Sequence, residues 1–108
     1  MTRVSLDKNG RPKITEKVFQ EQVRKAALIT GWLYFHNFFA FRSPSGFPDV
    51  VLIHPKKKRL IVAELKNETG KASEDQEKWL EAWRLIPCAE VFLLRPKDFD
   101  MFWEELKR

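Results

Sequence analysis

Gly46-Phe47-Pro48-Asp49-Val50-Val51-Leu52-Ile53-His54 and, beyond the turn Pro55-Lys56-Lys57-Lys58-Arg59, the run Leu60-Ile61-Val62-Ala63-Glu64-Leu65-Lys66 decide how this chain folds. Residues 50–54 and 60–65 are apolar runs of strand length, and the polar turn between them makes the pair a hairpin. Antiparallel pairing brings the start of the first strand to the end of the second, so Asp49 arrives beside the end of the 60–66 run. Side chains alternate across a strand, which puts Glu64 and Lys66 on one face and Leu65 in the opposite layer. Two acids and a lysine therefore converge at one end of the hairpin.

Upstream, Thr15 is an N-cap for a helix in which Phe19, Val23, Ala26, Ala27 and Thr30 recur at helical spacing until Gly31 stops it. Residues 32–36 are aromatic and suit a strand, and 37–47 have loop character from Ser43-Pro44-Ser45-Gly46. Downstream, 67–72 is a loop, and Ser73 with Gln76 three residues later matches a capping box. The helix it opens runs through Trp79, Leu80, Trp83 and Ile86, and Pro87 marks its end. Residues 91–94 form a short buried strand, and 97–107 a last helix with Phe99, Phe102, Trp103 and Leu106 inward. The order α-β-β-β-α-β-α predicts an α/β fold, a mixed sheet of about four strands flanked by helices. That domain spans residues 15–108, and 1–14 read as a basic tail, with Arg3, Lys8, Arg11 and Lys13 against Asp7.

With 108 residues, 44% hydrophobic and 13% aromatic, the chain suffices for one core. No apolar run approaches the roughly 20 residues that cross a bilayer, and the first residues lack a signal peptide's apolar stretch, so a soluble cytoplasmic protein with no membrane partner is expected. The single cysteine, Cys88, has no internal disulfide partner, and no Cys/His cluster has zinc spacing. A net charge of +5 and a pI of about 9.5 favour an anionic partner such as nucleic acid, although basic composition also serves solubility alone.

Two carboxylates converging as Asp49 and Glu64 do repel each other unless a cation sits between them, and oxygen ligands with open water positions suit Mg2+ or Mn2+. Such an ion polarises a phosphate oxygen and acidifies a bound water, and a nearby lysine steers that water or stabilises the charge developing on the phosphate. These parts suffice for phosphodiester hydrolysis. Glu16 shares the inward side of its helix with Gln20, Val23 and Ala27; it is either a third site acid or a first-turn acid complementing the helix dipole. Gln76 either orients Lys66 or touches the scissile phosphate, or it serves only the cap of Ser73. Phe38, Phe39, Phe41 and Phe47, with Arg42 among them, stack on bases, seam a dimer or fill core. The 55–59 turn, remote from Asp49, reads as solvated, and His36 and His54, without an adjacent Ser, Cys or second ligand, read as structural histidines.

Pro48-Asp49, a spacer and Glu64-Leu65-Lys66 resemble the PD-(D/E)XK nuclease pattern. The fuller run resembles its virus-type replication-repair nuclease (VRR-NUC) branch: Glu16 with Gln20 in the first helix, Gly46-Phe47-Pro48-Asp49, Glu64-Leu65-Lys66, and Gln76 after the lead-in Gly70-Lys71-Ala72-Ser73. The resemblance covers residues 15–97, and four motifs in the right order make it specific. It implies a restriction-endonuclease-like core and a metal held by Asp49, Glu64, the backbone carbonyl of Leu65 and Glu16. It further implies Lys66 as catalytic lysine, Gln76 in the catalytic set, and Mg2+ as cofactor with Mn2+ as substitute. Relatives of this kind are homodimeric, structure-selective DNA endonucleases of bacteria and phages, so branched or Holliday-junction DNA is the expected substrate. A catalytically silent DNA-binding module is the alternative. Intact Asp49, Glu64 and Lys66 favour the enzyme, because binding alone gains nothing from two acids where phosphates must approach. A sequence-specific restriction enzyme is disfavoured, since no residues remain for a recognition domain.

Overall fold

In a computed structural model that describes residues 14–37 and 44–108, the hairpin is the centre of a mixed sheet. Its strands are β1 (Leu33–His36), β2 (Val50–His54), β3 (Arg59–Leu65) and β4 (Ala89–Leu94), in that spatial order. β1 and β2 are antiparallel, as are β2 and β3, whereas β4 joins β3 in parallel. A parallel neighbour needs a crossover, and α2 (Glu74–Arg84) supplies it. Helices α1 (Glu16–Ile29) and α3 (Phe99–Lys107) lie before β1 and after β4, so the predicted order α-β-β-β-α-β-α holds among the described residues. None of their helices is long and apolar enough to cross a membrane.

Alternation along the strands divides the core. Val50 and Leu52 of β2 and Ile61, Ala63 and Leu65 of β3 join Leu94 against Phe19, Val23, Ala26 and Ala27 of α1 and Phe102 and Leu106 of α3. The side chains between them, Glu64 included, turn toward the face that α2 covers. Trp32, just ahead of β1, closes the end of the core remote from Asp49: its indole N–H donates to the Leu106 carbonyl at 3.0 Å, and the Arg59 guanidinium lies 4.9 Å from its ring centre. His54 is buried edge-on to Trp32, and its Nδ1 accepts from the Lys57 N–H at 3.2 Å, which is the structural role expected of it.

Three boundaries differ from expectation by two residues, and the starts of β1 and β3 by one. α2 ends at Arg84 rather than running through Ile86; Leu85 and Ile86 are exposed, and of the expected apolar stripe only Leu80 is fully buried. β4 begins at Ala89, two residues early, because parallel register pairs Leu60 with Ala89 and Ile61 with Glu90. α3 begins at Phe99, since Pro96–Asp98 forms a 3-10 turn in which the Asp98 carboxylate accepts from the Arg95 N–H at 2.9 Å. The hairpin tip is also less free than a solvated turn. Lys57 donates through Nζ to the Lys107 and Arg108 carbonyls, at 3.0 and 2.8 Å, satisfying oxygens that a helix end leaves unpaired. The basic tail and Phe38, Phe39, Phe41 and Arg42 lie outside the described residues, residue 14 excepted.

Candidate active site

Register places the acids. β2 and β3 pair Val50 with Ala63, and one step further out the same register sets Asp49 opposite Glu64. β1 anchors this end from the other side, where the Asn37 N–H donates to the Asp49 carbonyl at 2.8 Å. The Asp49 side chain is itself tethered, its Oδ2 accepting from the Leu65 N–H at 2.8 Å. A strand residue's N–H and C=O leave on the same side, so the Leu65 carbonyl is directed toward Asp49's side of the strand as well. Lys66 continues the parallel ladder, its N–H donating to the Leu94 carbonyl at 2.9 Å.

Glu64 is only 1% exposed. Its Oε1 accepts from Gln76 Nε2 at 2.8 Å and lies 3.8 Å from the Lys66 ammonium. Its Oε2 is buried with no hydrogen-bond partner among the described residues. Burial pushes the Glu64 carboxyl up to about 8, the neighbouring Asp49 carboxylate pushes the same way, and Lys66 opposes both without prevailing. An orphaned buried oxygen beside a second carboxylate is an arrangement that either a shared proton or a cation completes.

Gln76 serves the cap that its spacing suggested and, with the other end of its amide, reaches Glu64 rather than Lys66. The Ser73 hydroxyl accepts from the Gln76 N–H, the Gln76 Oε1 accepts from the Ser73 N–H, and the same amide's Nε2 reaches Glu64. Asp49, Glu64, Lys66 and Gln76 are thus brought together. Glu16 is half-buried in the first turn of α1, behind the Thr15 cap, and no three His, Cys, Asp or Glu side chains gather as a metal-ligand cluster among the described residues.

Further contacts support the site, and the sequence motifs did not specify them. Gly46, at φ +86°, packs against the first turn of α2: a Cβ there would lie 2.6 Å from the Gln76 nitrogen and strike the Asp75 carbonyl group. Ser45 donates to Asp75 Oδ2 at 2.6 Å and accepts through its carbonyl from the Trp79 indole at 3.1 Å, while Phe47 packs edge-on against Trp79 and Trp83. This seam fixes the α2 N-terminus to the segment that delivers Asp49. On the other flank, Arg95 clamps the loop after Lys66 by donating to the Asn67 and Gly70 carbonyls at 2.7 and 2.6 Å.

The geometry agrees with two comparisons. A solved structure titled as a VRR-NUC domain superposes with a TM-score of 0.68 over 82% of this chain and 94% of the other, at 22% identity, which establishes the shared fold. No curated protein matches. The VRR-NUC domain family model matches residues 35–88, half of the chain, a span that contains Asp49, Glu64, Lys66 and Gln76. This chain belongs to the VRR-NUC family of nuclease domains.

Proposed function

We propose that this chain is a divalent-cation-dependent DNA endonuclease that acts on branched DNA, the four-way junction included, as a homodimer. The observation that carries the reading is Glu64: a buried carboxylate, 1% exposed, with one oxygen held by Gln76 and the other without a hydrogen-bond partner among the described residues. Burying a charge without compensation is costly, and a fold that keeps two acids this close has a use for a cation between them. The donor set fits Mg2+ or Mn2+, which take oxygen ligands. Glu64 Oε2, the Asp49 carboxylate and the Leu65 carbonyl would hold the ion. When bound, it would supply charge neutralisation and polarisation at the scissile phosphate.

The chain's own groups supply the rest. Leu65 N–H fixes the Asp49 carboxylate, and Gln76 fixes Glu64. Lys66 places an ammonium beside Glu64, where it attracts the phosphate and stabilises the negative charge that develops during cleavage. Glu16 is proposed as an outer contributor only, because no three acids gather as a metal-ligand cluster among the described residues. The net charge of +5 favours a polyanionic substrate. Branched-DNA preference and the dimer rest on the motif resemblance.

The test is cleavage of labelled linear, flapped and four-way DNA in Mg2+ and in EDTA, comparing wild type with Asp49→Ala and Lys66→Ala. Metal-dependent cleavage abolished by either substitution is expected, with the four-way substrate cut fastest. Wild type that binds DNA and cuts none of the three would establish a silent binding module instead. Light scattering at micromolar concentration checks the dimer, and a monomer mass removes it from the proposal.

A further inference from the structure

The Gln76 side-chain amide has no freedom left. Its Nε2 donates to Glu64 Oε1, and its Oε1 accepts from the Ser73 backbone N–H, which only donates, at 2.8 and 2.9 Å. Rotating the amide by half a turn would set NH2 against the Ser73 N–H and break that bond whatever the charge of Glu64. A capping box needs only the cap's half of this arrangement. Here the second half reaches the candidate metal site, and Glu64 Oε1 is occupied by Gln76 and Lys66 while Oε2 has no hydrogen-bond partner among the described residues.

We infer that Ser73 is a positioning residue for the active site: its main-chain N–H sets the Gln76 amide, and Gln76 in turn fixes which oxygen of Glu64 meets the cation. The inference rests on the cation reading above. It assigns Gln76 to holding Glu64 rather than to contacting the substrate. It gives the N-cap a duty that its hydroxyl does not perform, since the hydroxyl serves only the Gln76 main chain.

Ser73→Pro and Ser73→Ala separate the two duties. Ser73 sits at φ −72°, close to the angle a proline ring imposes, so proline removes the N–H at small conformational cost. Alanine removes the hydroxyl and keeps the N–H. In metal-free wild type and in Ser73→Ala, NMR is expected to show one ordered Gln76 side-chain amide in contact with the residue 73 N–H, and in Ser73→Pro a mobile one. Calorimetry should find Mn2+ affinity about 10-fold or more weaker in both Ser73→Pro and Gln76→Met, the usual cost of losing a group that orients a ligand. The double variant should be no weaker than Gln76→Met alone. Ser73→Ala should lose thermal stability through the missing cap and keep its Mn2+ affinity.

A folded Ser73→Pro with an ordered Gln76 amide, with wild-type Mn2+ affinity, or with a loss that adds to that of Gln76→Met overturns the inference. Should the proline variant not fold, replacing the Ser73 amide by an ester through protein ligation deletes the same N–H and keeps the side chain, and the same outcomes apply. Wild type that binds no Mn2+ while its Gln76 amide is ordered overturns the cation reading itself, and the inference with it. The two failures are thereby distinguishable.

Discussion

Replacing Glu64 by glutamine should make the metal-free protein more stable at neutral pH while destroying its site. The Glu64 carboxyl rises from an ordinary 4.5 to about 8 in the fold, chiefly through burial. Between those values the folded state binds a proton that the unfolded chain has released, so its stabilising contribution is complete below about pH 4.5 and is lost as pH rises through about 8. At about 1.4 kcal/mol per pH unit over that interval, ionised Glu64 costs the apo fold on the order of 5 kcal/mol, a ceiling that local relaxation and water entry will lower. A neutral amide of the same shape still accepts from Gln76 and escapes that cost. Glu64→Gln should therefore unfold about 10 °C or more above wild type at pH 8 in EDTA, given that 1 kcal/mol moves the midpoint of a domain this size by about 4–8 °C, and the difference should shrink toward pH 4.5. Glu90, held below its ordinary value by Arg59, acts in the opposite sense but only below about pH 4.5, and Tyr34, raised to about 12 by burial, acts only above pH 10. Adding Mg2+ at pH 8 should stabilise wild type by about 2.7 kcal/mol at 100 times its dissociation constant and leave Glu64→Gln unmoved. Thermal unfolding followed by tryptophan fluorescence from pH 4.5 to 8.5 decides the matter. A wild-type curve that is flat or rising across this range, parallel to that of Glu64→Gln, refutes the reasoning.

Three further outcomes follow from other parts of the fold. Gly46→Ala combines a positive φ with a clash against the first turn of α2 and should cost about 2 kcal/mol or more in urea unfolding, with cleavage slowed because Gln76 moves with that turn. Glu90→Gln leaves the largely buried Arg59 guanidinium without its bidentate partner and should cost about 1–3 kcal/mol while cleavage per folded molecule is unchanged, since this cluster lies at the end of β3 remote from Glu64. Phe102→Ala empties a fully buried position packed against Phe92 and should cost about 3–5 kcal/mol, measured by the same unfolding assay.

The hairpin and its paired acids were legible because antiparallel register is arithmetic: once 50–54 and 60–65 are strands, Asp49 has to end near Glu64. Burial of Phe19, Val23, Ala26 and Ala27 followed equally from helical period. What periodicity gives is a face, not a distance along an axis. Glu16 lies on α1's inward stripe yet in its first turn, and no spacing rule states how far that turn stands from the sheet end. The same gap hid Arg95, whose clamp on Asn67 and Gly70 depends on the parallel offset between β3 and β4, and Lys57, which reaches α3's carbonyls about 50 positions along the chain. α3's start was misplaced because Pro96 permits a first helical turn in either form, and the Asp98 carboxylate on the Arg95 N–H selected the tighter one.

Gln76 shows a different limit. Its sequence context supported a cap and a site residue about equally, and weighing one against the other assumed that a side chain has one occupation. A primary amide has two ends with opposite hydrogen-bonding character, so a residue at the third helical position can complete its own cap with the oxygen and reach the facing strand with the nitrogen. The carboxylate it reaches is the group in this fold that is dearest to bury, and the amide donor offsets part of that cost without neutralising it. Glu64 is thus a group that burial makes costly to ionise, and stability of the apo fold is given up at the point where the proposed chemistry takes place.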